Sequence, residues 1–159
     1  MAVDVRPADL DDARVSGLLE YHMRTARAET ACGSAHALDL EALRHPDIAV
    51  WAAWEGDDLL GVGALRRLSA EHGEIKSMHV TEASRGRGVG GAVVERLLDE
   101  ARRAGMTRVS LETGARPYFD AARALYRRHG FVPCPPFGEY VEDRNSVFLT
   151  IALDVTPDA

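Results

Sequence analysis

The stretch that decides the fold reads Glu74-Ile75-Lys76-Ser77-Met78-His79-Val80, then Thr81 to Arg85, then Gly86-Arg87-Gly88-Val89-Gly90-Gly91. Its first seven residues predict a strand, with Ile75, Ser77 and His79 on one face and Lys76, Met78 and Val80 on the other. Beyond the glycines, Val89, Val93, Val94, Leu97, Leu98, Ala101 and Ala104 recur at helical spacing, and Gly105 stands where a left-handed cap ends a helix. A glycine-rich loop that opens a helix is an anion site for physical reasons. The first-turn N–H groups have no partner in the helix, the dipole presents its positive end, and glycine lets a phosphate approach the backbone. Arg85 and Arg87 add charge suited to a diphosphate.

Working outward, Ala2–Arg6 reads as a short strand, followed by a helix beginning near Asp9–Asp12 that turns Val15, Leu18, Leu19 and Met23 inward. The acids in that region suit a helix start. Glu29–His36 is small and polar and predicts a loop; Leu38–Leu43 predicts a short helix with Asp39 as a cap, stopped by His45-Pro46. Ile48–Trp54 and Leu59–Leu68 form a hairpin around Glu55-Gly56-Asp57-Asp58. Past the glycine helix come a strand at Arg108–Glu112, a helix at Phe119–His129 ended by Gly130, and strands at Phe131–Cys134 and Ser146–Val155. The order β-α-α-β-β-β-α-β-α-β-β makes one mixed α/β domain over residues 1–159.

Composition agrees. At 159 residues, 46% hydrophobic and 28% charged, the chain has the length and make-up of one globular domain. The net charge of −6 and the lack of a basic tail argue against nonspecific nucleic-acid binding. No run approaches a membrane span, and the start, Met1-Ala2-Val3-Asp4-Val5-Arg6, lacks the layout of a secretory signal, so a cytoplasmic protein is expected. Cys32 and Cys134 match no metal or redox spacing and read as plain buried thiols, and no metal is expected. Lys76 is the one lysine among 19 basic residues.

Which phosphate ligand the loop holds is a separate question. Gly86, Gly88 and Gly91 satisfy GxGxxG, and Glu112 follows about 20 residues on, imitating a dinucleotide fingerprint. Against it, Thr81–Arg85 separate strand from glycine, and only one helix and two strands follow Glu112. A P-loop is excluded because no Gly-Lys-Ser/Thr follows.

Arg85-Gly86-Arg87-Gly88-Val89-Gly90 also matches Arg/Gln-x-x-Gly-x-Gly/Ala, and Ala124-Leu125-Tyr126-Arg127-Arg128-His129-Gly130-Phe131 matches a helix ending in Leu-Tyr-x-x-x-Gly-Phe. With both motifs in that order, the chain resembles the GNAT N-acetyltransferase superfamily, and within it bacterial small-molecule members. The resemblance implies a single mixed, mostly antiparallel twisted sheet of about seven strands flanked by about four helices. It implies acetyl-CoA as co-substrate, with its pantetheine arm on the backbone of Met78, His79 and Val80. Its diphosphate then lies on the loop formed by Arg85, Gly86, Arg87, Gly88, Val89, Gly90 and Gly91. Tyr126 matches the tyrosine that protonates the departing thiolate. The family's asparagine seven residues earlier is replaced by Phe119, which is left to pack on the cofactor. Glu74 matches a position that supplies the general base in some members; His79 and Glu112 are the alternatives.

Substrate recognition in such proteins comes from the first two helices and the late loop, here Cys134 to Ser146. Glu139, Tyr140 and Asp143 on that loop, with His36, are the residues expected to meet a cationic amine. The expected reaction is acetyl transfer to a primary amine of a small molecule by direct attack, with no covalent enzyme intermediate. The competing expectations are a non-catalytic acyl-CoA sensor, a protein or peptide N-acetyltransferase, and a dinucleotide-binding enzyme. Dimers are frequent in the family, so a homodimer is among the expectations.

Overall fold

The computed structural model describes residues 2–30 and 33–154. Cys32 and Val155, named above, lie outside them. Seven strands form one sheet: β1 (Asp4–Pro7), β2 (Ile48–Glu55), β3 (Asp58–Arg67), β4 (His72–Val80), β5 (Arg108–Gly114), β6 (Val132–Pro133) and β7 (Ser146–Ala152). Their spatial order is β1-β2-β3-β4-β5-β7-β6. Every neighbouring pair is antiparallel except β4 and β5, which run parallel. Four α-helices join them: α1 (Ala13–Ala28), α2 (Leu40–Leu43), α3 (Val89–Arg103) and α4 (Asp120–Arg128). The expected element order holds throughout. No helix among the described residues is long and apolar enough to cross a membrane.

Two cores cover the two faces of the sheet. On one, α3 buries Val89, Val93, Val94, Leu97, Leu98 and Ala101 against Trp51, Leu65, Ile75 and Leu111. Each of these valine and leucine side chains contributes roughly 1.5–3 kcal/mol of burial. Ala104, expected on that face, is instead the exposed C-cap, and Gly105 follows at φ 82°. On the other face, α1 and α2 bury Val15, Leu19 and Leu43 against Val50, Ala52, Val62 and Ala64. Here α1 starts at Ala13 with Asp12 as cap, its carboxylate accepting the Arg14 N–H at 2.9 Å, so the acids precede the helix and do not occupy its first turn. Asp39 caps α2 as expected. The strand β1 is shifted to end on Pro7, tolerated because β1 is an edge strand.

One irregularity sets up everything downstream. Along β3 and β4, Val62 faces His79 and Ala64 faces Lys76, so Gly63 alone stands opposite both Ser77 and Met78. This is a β-bulge, and Ser77 takes it at φ 57°, in the left-handed region that costs a non-glycine residue roughly 1–2 kcal/mol. The extra residue reverses the side-chain phase. Ile75 before the bulge and Met78 and Val80 after it all pack on the α3 core, while His79 turns toward α1 and meets His22. The regular alternation expected for this strand is therefore broken at Ser77.

Gly63 is the space that the bulge fills. A Cβ there would stand 2.6 Å from Met78 Sδ and 2.7 Å from Val93 Cγ1. Gly63→Ala is expected to lower unfolding stability by about 1–3 kcal/mol in urea titrations. A variant as stable as the wild type would show that the bulge and α3 have slack.

Candidate active site

The parallel pairing of β4 with β5 runs from His72–Arg108 to Ile75–Leu111 and stops there, although β4 continues to Val80 and β5 to Gly114. Beyond Ile75 the two strands separate, and the β4 edge facing β5 is left without a ladder. A cleft of about 430 Å³ occupies the gap. Met78, His79 and Val80 form one wall, Glu112, Thr113 and Gly114 the other, and the head of α3 and the body of α4 close it on one side.

Arg85, Gly86, Gly88, Val89, Gly90 and Gly91 line the α3 end of the cleft. Gly86 and Gly88 hold φ near 77° and 79°, a shape that glycine adopts without strain. Gly88 is the N-cap of α3, with no side chain capping it, so the orphan N–H groups of a 15-residue helix point into the loop. Gly90 is needed for contact: a Cβ there would lie 2.9 Å from Leu125 Cδ2 of α4. Arg87 departs from expectation. Its guanidinium bonds Glu55 at 3.1 Å, at the β2–β3 turn, and it does not line the cleft.

On the α4 side, Phe119 and Tyr126 both reach the cleft. Phe119 lies over Gly114, its ring filling the space where a side chain would stand. Arg123 holds this corner by donating to the main-chain oxygens of Gly114 and Arg116. Tyr126 is only 5% exposed and packs edge-on against Phe131. Burial, and then the nearby Glu112, push its phenol well above the ordinary tyrosine value, so it stays protonated and remains a proton donor.

The opposite end holds the polar groups. His22 of α1 and His79 of β4 face each other with Nδ1 atoms 3.0 Å apart. Burial, then His79 and Lys76, lower His22 to about 4; burial and Arg85 lower His79. One ring therefore donates to the other and both stay neutral near pH 7. Glu112 is raised by burial, with the Ser146 hydroxyl, His36 and Lys76 beside it acting the other way. Lys76 and His36 also line the cleft.

Besides Arg87, four residues expected in the site stand behind or outside the cleft wall. Glu74 is 1% exposed, and its Oε2 accepts from the Tyr140 hydroxyl and from Lys76 Nζ at 3.4 Å. Tyr140 also accepts from Lys76 at 2.8 Å and stacks edge-on with His36, so it backs the cleft without lining it. Asp143 accepts the Asn145 N–H at 2.8 Å and braces the end of the late loop. Glu139 is exposed. The glycine-loop motif had no power over these residues, since the late loop is positioned by aromatic packing of Phe137, Tyr140 and Phe148. Residues that sequence reasoning passed over include His22, Lys76 and Ser77; the isolated lysine was the one visible sign. Cys134 is half-buried and its N–H is bonded to Phe148, away from the cleft. Among the described residues no group of three or more His, Cys, Asp or Glu is placed to hold a metal.

This arrangement has relatives. The family model for the Acetyltransferase (GNAT) family matches residues 15–131. The uncharacterised N-acetyltransferase YsnE of Bacillus subtilis is 45% identical over 145 residues, covering 91% of this chain and 96% of that protein. IAA acetyltransferase of Azospirillum brasilense is 41% identical over 146 residues, covering 91% and 93%. In fold, a GNAT family acetyltransferase from Elizabethkingia anophelis, with acetyl-CoA bound, superposes with a TM-score of 0.69 at 17% identity, covering 95% of this chain and 98% of that one. The chain belongs to the GNAT acetyltransferase family and is an acyl-CoA-dependent acetyltransferase.

The histidine pair gives a stability signature. Between pH 6.5 and about 4 an unfolded His22 takes up a proton that the folded one refuses. Folding stability is therefore lost as pH falls through that window, by up to about 3 kcal/mol from this residue. Urea titrations across the window are expected to show the loss, and His22→Gln to flatten it. Equal slopes in the two proteins would mean that His22 is not held neutral by the fold.

Proposed function

We propose that this member of the GNAT family moves an acetyl group from acetyl-CoA to a primary amine of a small molecule by direct attack within the cleft. One observation carries the reading: the single parallel strand pair opens beyond Ile75 and Leu111, with the uncapped head of α3 at one end of the gap and Tyr126 and Glu112 on its walls. The glycine cradle fits a diphosphate, because Gly86 and Gly88 leave the backbone bare there and α3 supplies the positive dipole end. The unladdered edge of Met78 to Val80 suits an extended amide-bearing arm, and its N–H groups suit a carbonyl oxygen on which negative charge grows. Phe119 and Gly114 border the same space.

In the reaction the amine nitrogen forms a bond to the thioester carbonyl carbon, and the carbon–sulfur bond breaks. The amine's proton goes to a base and the thiolate receives one from an acid. Tyr126 is the acid, protonated and on the wall. Of the candidate bases, His79 and Glu112 both line the cleft, but His79 is paired with His22, and Glu74 is spent on Lys76 and Tyr140. We therefore give the base role to Glu112 and a positioning role to Glu74. The lining of the far end of the cleft by His22, Thr30, Ser34 and His36 supports a small-molecule acceptor.

Release of free thiol from acetyl-CoA with a panel of amines tests the reading. Tyr126→Phe is expected to lower kcat about 10- to 100-fold while leaving the acetyl-CoA KM within about twofold. Because Glu112 must be ionised to accept a proton, kcat/KM should fall as pH drops through its raised pKa, and Glu112→Gln should be slow at every pH. CoA binding without turnover of any amine, and indifference to Tyr126→Phe, would identify an acyl-CoA sensor instead.

A further inference from the structure

Lys76 is the chain's one lysine, and its side chain is only 8% exposed, yet it lines the cleft. It is the first residue of β4 past the last pair with β5, and Glu112 is the first residue of β5 past the same pair. A cation and a carboxyl group thus flank the vertex where the strands part. They are not ion-paired with each other, because the ammonium is held from behind. Lys76 Nζ donates to the Tyr140 hydroxyl at 2.8 Å and to Glu74 Oε2 at 3.4 Å, and Tyr140 in turn donates to Glu74. That closed triangle uses two of the three ammonium N–H groups.

Burying a lysine and a glutamate together is costly, and a pair of apolar side chains would usually serve the fold as well. Here the pair does more than balance itself. Glu74, buried at the back, stands as counter-charge to Lys76, and the Tyr140 hydroxyl fixes the ammonium's place. The one N–H left over belongs to a residue on the cleft wall. We propose that the acceptor is an amine that also carries a carboxylate, an amino-acid-like zwitterion, with Lys76 binding the carboxylate and Glu112 receiving the amine's proton.

The alternatives fit the charges less well. A diamine or polyamine would bring its second ammonium against Lys76, a like-charge contact that disfavours binding. A plain alkylamine gives the remaining Lys76 N–H nothing to bind. A zwitterion matches both signs across the vertex, and Glu74 is then a positioning residue that acts through Lys76. The inference rests on the acetyltransferase reading above and narrows its acceptor.

The test compares matched acceptors in the thiol-release assay with the full chain: a series of α-amino acids, their methyl esters, their decarboxylated amines, and diamines. For the preferred side chain, the free acid is expected to exceed its ester and its decarboxylated amine by about 100-fold or more in kcat/KM. Lys76→Met should collapse that acid-to-ester ratio toward one, mainly through KM, with Lys76→Arg restoring part of it. The double variant Lys76→Met/Glu74→Gln removes the stranded carboxylate and serves if the single variant folds poorly. Esters, plain amines or diamines accepted as well as the acid would overturn the proposal, as would variants that slow acid and ester alike. Absence of transfer to any amine would overturn the functional reading itself, and the acceptor assignment with it.

Discussion

The cleft of this molecule depends on the place where β4 leaves β5. A parallel pair is held by evenly spaced hydrogen bonds, and when it ends inside a sheet it leaves an edge whose N–H and C=O groups need other partners. Here the pairing ends at Ile75–Leu111, and the bulge at Ser77 lies just beyond it. Because β3 still holds β4 through Val62–His79 and Gly61–Val80, the strand is not loose. It is a rigid edge turned toward an open space, which is what a site for an extended ligand requires.

The bulge also decides which chemistry faces that space. By inserting one residue, it sends His79 to α1 and keeps Met78 and Val80 on the α3 core, so the strand shows polar groups on one side of the sheet and apolar ones on the other. Gly63 makes room for it, and Ser77 accepts a left-handed backbone to complete it. The two helices at the mouth follow the same economy of space. Gly90 lets Leu125 of α4 come close to the first turn of α3, which brings Tyr126 and the uncapped N–H groups to one cleft.

Most of the fold was legible from local patterns. Helix α3 announces itself through Val89, Val93, Val94, Leu97 and Leu98, and the positive-φ glycines at 86, 88 and 105 mark its ends. What local patterns lack is tertiary register. Nothing about a serine at position 77 signals a left-handed bulge, so regular alternation puts His79 on the face of Ile75, whereas the bulge turns it to the other. Glu74 looks available along the chain, yet in space Tyr140, 66 residues away, takes its carboxylate. Arg87 looks like a phosphate ligand beside the glycines, yet Glu55 on the β2–β3 turn draws it off. Tyr126 and Phe119 both line the cleft, because a helix motif sets them relative to Gly130 and Phe131, a short-range relation that the fold preserves.

The account's central claim is that the head of α3 and the opened strand edge form one continuous ligand site. A crystal structure of the protein with acetyl-CoA tests it most directly. The claim predicts the diphosphate against the main-chain N–H groups of residues 86–91 and the acetyl group between residues 78–80 and Glu112. A diphosphate bound elsewhere, or an acyl arm that avoids the gap between β4 and β5, would contradict it.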